Sequence, residues 1–211
     1  MVITCWSVKG GSGATVVASS IALLLSLGHR PTTLIDLCGD GSASLGLADP
    51  HPCLPASAEQ LWCPEFLHRS AVPVNDLLDL VVVDPSFRST ANTRSLHLHP
   101  PATGRHLVID AGLEPPAWLR LASDHDVLVV RGCYLALRRA SRLAHRPTDV
   151  VIVNEPGRAL GRREVEVVCG GPVVADIGWD PAVARSIDAG LLAGRIPPAL
   201  REPLRAIPWL G

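Results

Sequence analysis

The glycine loop Ser7-Val8-Lys9-Gly10-Gly11-Ser12-Gly13-Ala14-Thr15 joins an apolar run at 2–6 to an apolar, helix-forming stretch at 15–27. A strand, a glycine loop and a helix in direct succession restrict the chain to few architectures. Such a loop gathers backbone N–H groups at the positive end of a helix dipole, which suits phosphate. Lys9 is the only lysine, and every other permanently cationic side chain is an arginine. An ammonium is a compact charge on a flexible stem and binds phosphate as a point charge.

Further apolar runs follow at 32–35 (closed by Asp36), 77–83, 107–109, 127–130, 150–153 and 173–175. They are nearly continuous in apolar residues, as strands covered on both faces are. Helical patterns lie between and after them. The first is 15–27, ended by Gly28; a basic one is 135–145; a third is 181–189, with Asp180 as its cap and Pro181 at its first position. The alternation predicts an α/β fold: a mostly parallel, twisted sheet with helices on both faces. At 211 residues the chain reads as a single domain, 1–211. Within it, 48–105 reads as an irregular, insert-like region with one or two helices. It is rich in proline and carries His97 and His99, with His106 just beyond. The tail, 196–211, is broken by proline and offers no long amphipathic helix for a bilayer surface.

Hydrophobic residues make up 47% and mean hydropathy is +0.27, yet no apolar run reaches the roughly 18 residues of a membrane span. Met1 leads straight into a strand pattern with no basic segment before it. The expectation is therefore a cytoplasmic chain without an integral membrane segment, recruited to a membrane or pole only by a partner. A net charge of −1 gives no global field for nucleic acid. One local exception exists. Arg138, Arg142 and Arg146 recur at i, i+4 and i+8, with Arg139 and Arg131 nearby, a stripe that fits non-specific DNA. A solvated helix face, or pairing with Asp124, Asp126 and Asp149, explains the same arginines and is favoured. The six cysteines show no CxxC pairing and read as reduced, mostly buried thiols. His51, Cys53, Cys63 and His68 fit no common zinc spacing, although a site built from them is conceivable.

The usual phosphate-loop pattern is GxxxxGK[ST]. Here its end reads Gly13-Ala14-Thr15, so alanine stands where lysine is expected, while Lys9 stands early in the loop. This arrangement resembles the deviant Walker A motif, KGGxGK[ST], of the ParA/MinD ATPases. A small residue at the Ala14 position resembles their CpaE/TadZ pilus-assembly branch and related septum-site-type proteins. The resemblance continues in family order over most of the chain and is weak only within 48–105. Leu34-Ile35-Asp36-Leu37 looks like the second strand, and the segment from Gly39 to Leu47 like switch I. Val108-Ile109-Asp110-Ala111-Gly112 looks like Walker B with switch II. Asn154 looks like an adenine-contacting asparagine. Ile177-Gly178-Trp179-Asp180 occupies the IPxD position with glycine for proline.

The resemblance implies ATP and Mg²⁺ as cofactors. It makes Gly10, Gly11, Ser12, Gly13, Ala14 and Thr15 the phosphate cradle, with Asp36, Gly112, Asn154 and Asp180 around the nucleotide. Thr15 and Asp110 hold the metal, and Lys9 reaches across a homodimer to the partner's phosphates. Many members carry a catalytic aspartate where Cys38 stands here, and a thiol cannot orient water as a carboxylate does. Asp40 is the substitute candidate, so Lys9 and Asp40 form the catalytic pair. With Ala14 and Cys38 in place, ATP binding is expected to outrun turnover. The chain would then be at most a slow ATPase, acting as a dimerising switch that positions pilus, secretion or division machinery.

Other readings remain open. The glycine loop is also compatible with a plain tight turn, Asp36 and Asp110 with strand-end caps, and Asn154 with an ordinary turn residue. Asp84 rivals Asp110 as the metal-side acid. A scaffold that keeps the fold and has lost the nucleotide is one alternative function. A dinucleotide-dependent oxidoreductase is another, since Gly11-Ser12-Gly13 followed by Asp36 imitates the dinucleotide fingerprint. In that fingerprint Val16 stands where a third small residue belongs, and Lys9 and Asp110 have no role.

Overall fold

The computed structural model describes residues 1–87 and 104–211. His97 and His99 lie outside the described residues. Eight strands form one sheet in the order β3-β4-β2-β5-β1-β6-β7-β8. They are β1 (Val2–Ser7), β2 (Thr32–Asp36), β3 (Val72–Asn75), β4 (Leu78–Val82), β5 (His106–Leu113), β6 (His125–Arg131), β7 (Asp149–Asn154) and β8 (Val173–Gly178). Every pairing is parallel except β3 with β4.

Strand alternation sorts the core into two layers. Ile3, Cys5, Leu34, Val108, Val127 and Val151 face one side, and Trp6, Ile35, Ile109, Leu128, Val130 and Ile152 face the other. The first layer packs under α1 (Ala14–Leu27), whose apolar residues Val17, Ile21, Leu24 and Leu25 are buried. The same side holds α2 (Gly41–Leu45) and, late in the chain, α8 (Pro181–Asp188) and α9 (Pro198–Arg205). The second layer is covered by α3 (Ala58–Leu61), α4 (Pro64–Ser70), α5 (Ala117–Leu121), α6 (Tyr134–Ala140) and α7 (Arg162–Cys169). Burial on both faces explains why the strands read as unbroken apolar runs.

Two expectations need adjusting. The described part of 48–105 holds two helices and the strand at 78–82, as expected, and adds one strand that the sequence reading did not contain. Among its described residues are α3, α4 and the β3–β4 pair, and Pro73 sits in the edge strand β3, where a missing N–H does little harm. The basic helix stops at Ala140 rather than continuing to 145. Arg142 and Leu143 donate to carbonyls only three residues back, Arg139 and Ala140, so the coil tightens and ends before Pro147. The proline-broken tail docks on α1. Leu200, Leu204, Ile207 and Leu210 are buried there, and the Trp209 indole stacks on His125 at 4.2 Å and donates to Asp149 at 3.1 Å.

The sheet order also separates β1 from β2, with β5 between them. In a dinucleotide fold of the 3-2-1-4-5-6 type, those two strands are neighbours. The oxidoreductase alternative loses its structural basis there. No helix among the described residues is long and apolar enough to cross a membrane.

Candidate nucleotide and cation site

The glycine loop leaves the C-terminal end of β1 and curls back into α1. Gly11 has φ +73° and Gly13 φ +93°, the left-handed region that side chains avoid. Two hydroxyls hold the curl by donating to the Lys9 carbonyl, Ser12 at 2.7 Å and Ser7 at 3.1 Å. The Arg139 guanidinium ties the preceding turn through the Val8 carbonyl at 3.0 Å. Among the described residues, the N–H groups of Gly10 through Thr15 find no acceptor, and the first bond of the helix runs from Val17 to Gly13. A Cβ placed on Gly10 or Gly11 would meet nothing within 4 Å. The loop is therefore an open cradle of unused donors at the start of a 14-residue helix, the arrangement that takes an anion.

Two carboxylates stand beside it. Asp36 and Asp110 are direct partners on the adjacent parallel strands β2 and β5. Their oxygens and the Cys38 sulfur lie within 4.8 Å of one another, the one such three-ligand grouping among the described residues. The zinc set His51, Cys53, Cys63 and His68 does not assemble there. Cys63 instead donates to Glu65, and Cys53 to the Val82 carbonyl.

The two acids do different jobs. Asp36 accepts the N–H groups of Cys38 (2.8 Å), Gly39 (2.9 Å) and Gly41 (2.7 Å), so both its oxygens are engaged in folding the loop that follows β2. As expected direct cofactor contacts go, this one has its lone pairs already directed at backbone. Asp110 is the opposite case. Its Oδ1 accepts the Gly112 N–H at 3.1 Å, while its Oδ2 is buried without a hydrogen-bond partner. Burial pushes the Asp110 carboxyl up to about 6; the Thr15 hydroxyl pulls it down, Asp36 raises it, the Gly112 amide lowers it, and Asp40 raises it. An orphaned buried carboxylate oxygen, next to a hydroxyl and a second acid, fits a hard divalent cation with oxygen ligands. Asp84, the rival acid, is solvated and spends its carboxylate on the Ser86 N–H at 2.9 Å.

The register between β1 and β5 shifts at Cys5/Trp6, leaving Ala111 as an extra residue. This bulge presents Asp110 and Gly112 to the loop, and Gly112 adopts φ +60°. The Gly112 N–H, expected to face a phosphate, is engaged by Asp110 here. Asp40 is exposed at the start of α2, close enough for its charge to act on Asp110.

A cavity of about 320 Å³ extends from the loop along the ends of β7 and β8. Gly11, Ser12, Gly13, Val153, Trp179 and Val183 line it, as do Asp180 and Arg131. Asp180 caps α8 by accepting the Ala182 N–H at 2.8 Å. Asn154 does not line the cavity. Its amide donates to Asp176 at 2.8 and 3.1 Å, and its carbonyl accepts the Trp179 N–H at 2.7 Å, pinning the cavity wall.

Lys9 is half-exposed with no carboxylate in ion-pair range among the described residues. The five-arginine stripe does not form. Helix α6 ends before Arg142 and Arg146, Arg139 is spent on the loop, and Arg131 pairs with Glu155 at 2.9 Å. Sequence reading placed Arg131 on that stripe and missed it, with Trp179, as cavity residues. The available signal was position: Arg131 ends an apolar strand, and ligand sites in open α/β sheets gather at strand C-termini.

Sheet order, the loop after β1 and the acids ending β2 and β5 define the fold of the ParA- and MinD-type ATPases. Among solved structures the chain is similar to a ParA family ATPase from Chlorobium tepidum TLS, with TM-score 0.72, 17% identity, and 99% of this chain and 96% of that one covered. The septum site-determining protein MinD from Pyrococcus horikoshii OT3, complexed with Mg-ADP, gives TM-score 0.68 at 17% identity, over 98% and 93%. A variant of Cyanothece McdA in complex with ATP gives 0.72 at 15% identity, over 99% and 95%. In sequence the chain matches no family model and no curated protein.

Proposed function

We propose that this chain is an ATP-binding, dimerising molecular switch of the ParA/MinD type, with weak or absent hydrolysis. The observation that carries the reading is the pairing of an open cradle of unbonded N–H groups with the orphaned oxygen of Asp110. The first suits the phosphates of a nucleotide, and the second suits their Mg²⁺. Two of the fold neighbours were solved with Mg-ADP and with ATP.

In this reading residues 1–211 act as one nucleotide-binding unit, with 48–105 as an elaboration of it. Gly10 to Thr15 hold phosphate oxygens on backbone donors. The Thr15 hydroxyl and the free Asp110 oxygen hold the cation, whose bound charge offsets that of the phosphates. Asp36 shapes the loop from Cys38 to Gly41 rather than touching nucleotide. A cation would take the free Oδ2 of Asp110, and the Gly112 N–H stays on Oδ1. The loops that follow β1, β2 and β5 would gather around one ligand, which makes a surface that partners can read. Lys9, uncommitted within its own chain, serves the facing subunit. Asp40 is the acid nearest to hand for orienting water. With Ala14 lacking a cation and Cys38 lacking a carboxylate, turnover is slow. The cellular role is positioning of pilus, secretion or division machinery, as in the CpaE/TadZ branch, from the cytoplasm and through partner recruitment.

Mass by light scattering, with and without ATP and Mg²⁺, tests the switch. The expected result is a doubling of mass with ATP·Mg²⁺ that Lys9→Ala abolishes. A mass that never changes contradicts it. A nucleotide-independent oligomer indifferent to Lys9→Ala would establish the scaffold alternative instead.

A further inference from the structure

The loop has lost its usual in-chain cation at Ala14, and the chain supplies another from a different element. We propose that Arg131, at the end of β6, is the cation that contacts the phosphates of a nucleotide bound in its own subunit. The inference rests on the nucleotide reading above and adds a residue to it.

Four observations converge on Arg131. It lines the same cavity as Gly11, Ser12 and Gly13, the loop residues of the phosphate cradle. Its Nε–H is buried and has no acceptor among the described residues, an unused donor. Its guanidinium is pre-positioned, with its centre 5.5 Å from the centroid of the Trp179 ring and one terminal nitrogen 2.9 Å from Glu155. A fork with five donors retains enough of them for a second oxyanion while Glu155 keeps one. Lastly, a strand terminus holds the side chain more firmly than a loop would.

Glu155 gives this arrangement a counterweight. It binds Arg158 as well as Arg131, and the Arg158 hydrogen bond first, then the charges of Arg158, Arg131 and Lys9, hold its carboxyl below the usual range. In the empty protein Glu155 occupies Arg131. A phosphate anion competes with Glu155 for the same guanidinium, so loading the cavity loosens the Glu155 cluster.

Equilibrium titrations of ATP, AMP and adenosine, followed by calorimetry, test the assignment in wild type, Arg131→Met, Arg131→Lys and Glu155→Gln. Arg131→Met is expected to weaken ATP about ten- to hundredfold, as loss of a charge-assisted contact does. Adenosine affinity stays within about twofold, and Arg131→Lys recovers part of the loss. Glu155→Gln, which keeps Arg131 and removes its competitor, tightens ATP severalfold. Thermal melts show whether Arg131→Met remains folded, and the Glu155→Gln result stands even if it does not. ATP bound equally by wild type, Arg131→Met and Glu155→Gln overturns the inference and leaves the nucleotide reading intact. Equal losses for adenosine and ATP also overturn it, because they place Arg131 against the base. A wild type that binds none of the three overturns the nucleotide reading itself, and this inference with it.

Discussion

At the scale of single residues, Asp110 carries a conflict between stability and function. Its carboxyl titrates at about 6 in the folded chain, against an ordinary 3.8. The folded state therefore holds that proton more tightly than the unfolded chain. Stability from this group is full below 3.8 and falls as pH rises through the window up to about 6. Asp110→Asn removes the buried charge and is expected to stabilise the metal-free protein at pH 7.5, by at most about 2–3 kcal/mol. Urea denaturation should show the gain at pH 7.5 and little of it near pH 4. The same variant should lose the extra stability that Mg²⁺ and ATP confer on wild type. No gain at pH 7.5 would mean that Asp110 is not the strained group described here. Gly41 is a second sensitive point. A Cβ there would lie 2.8 Å from Oδ2 of Asp36, a carboxylate that three N–H donors hold in place, two on Oδ1 and one on Oδ2. Gly41→Ala should cost about 1–3 kcal/mol and raise amide exchange at residues 38–41.

Elements were the most legible level of this sequence. Seven of the eight strands coincide with apolar runs, because burial on both faces writes itself as unbroken hydrophobicity. The missing one, β3, is an edge strand of four residues containing Pro73, and its sequence Val-Pro-Val-Asn carries almost no strand signal. The length of α6 was misjudged, since arginines at helical spacing extend a pattern beyond the apolar residues that anchor it. The site was legible in its local parts. Lys9 to Thr15 are consecutive in sequence, and Asp110 closes its apolar run. Its long-range parts were hidden: Arg131 and Trp179 meet only because β6, β7 and β8 are adjacent. The meeting of α2 with α8 was likewise invisible. There Gly46 (φ +73°) and Gly190 (φ +64°) touch backbone to backbone, and a Cβ on Gly46 would fall 2.0 Å from the Gly190 carbonyl oxygen. Gly46→Ala should push these helices apart and cost at least about 2 kcal/mol. Chemical denaturation, followed by circular dichroism, reads the cost.

For the whole molecule, the network at the far end of the sheet fixes the frame on which the site is mounted. Trp6 donates to Asp126 at 2.5 Å, and Arg120 pairs with the same carboxylate at 2.6 Å while its guanidinium centre lies 4.3 Å from the Trp6 ring centroid. Both charged partners are almost fully buried, so Arg120→Ala leaves an uncompensated carboxylate. The expected cost is about 3–5 kcal/mol in a denaturant titration. The site end is built in the opposite way, from unbonded amides, an orphaned oxygen and an open cavity. With no lysine at Ala14, phosphate release from ATP should run slower than about 10⁻² per second. Release measured across protein concentrations should rise as subunits pair.

Beneath these predictions lies the claim that the cradle and Asp110 together hold a magnesium-bound nucleotide. Calorimetric titration of ATP into the full chain, with Mg²⁺ and again with EDTA, measures it directly. The account predicts saturable binding of one nucleotide per chain, weakened at least about tenfold by EDTA and lost with Asp110→Asn in the presence of Mg²⁺. Absence of saturable heat at millimolar ATP, or binding indifferent to both the metal and Asp110, would contradict it.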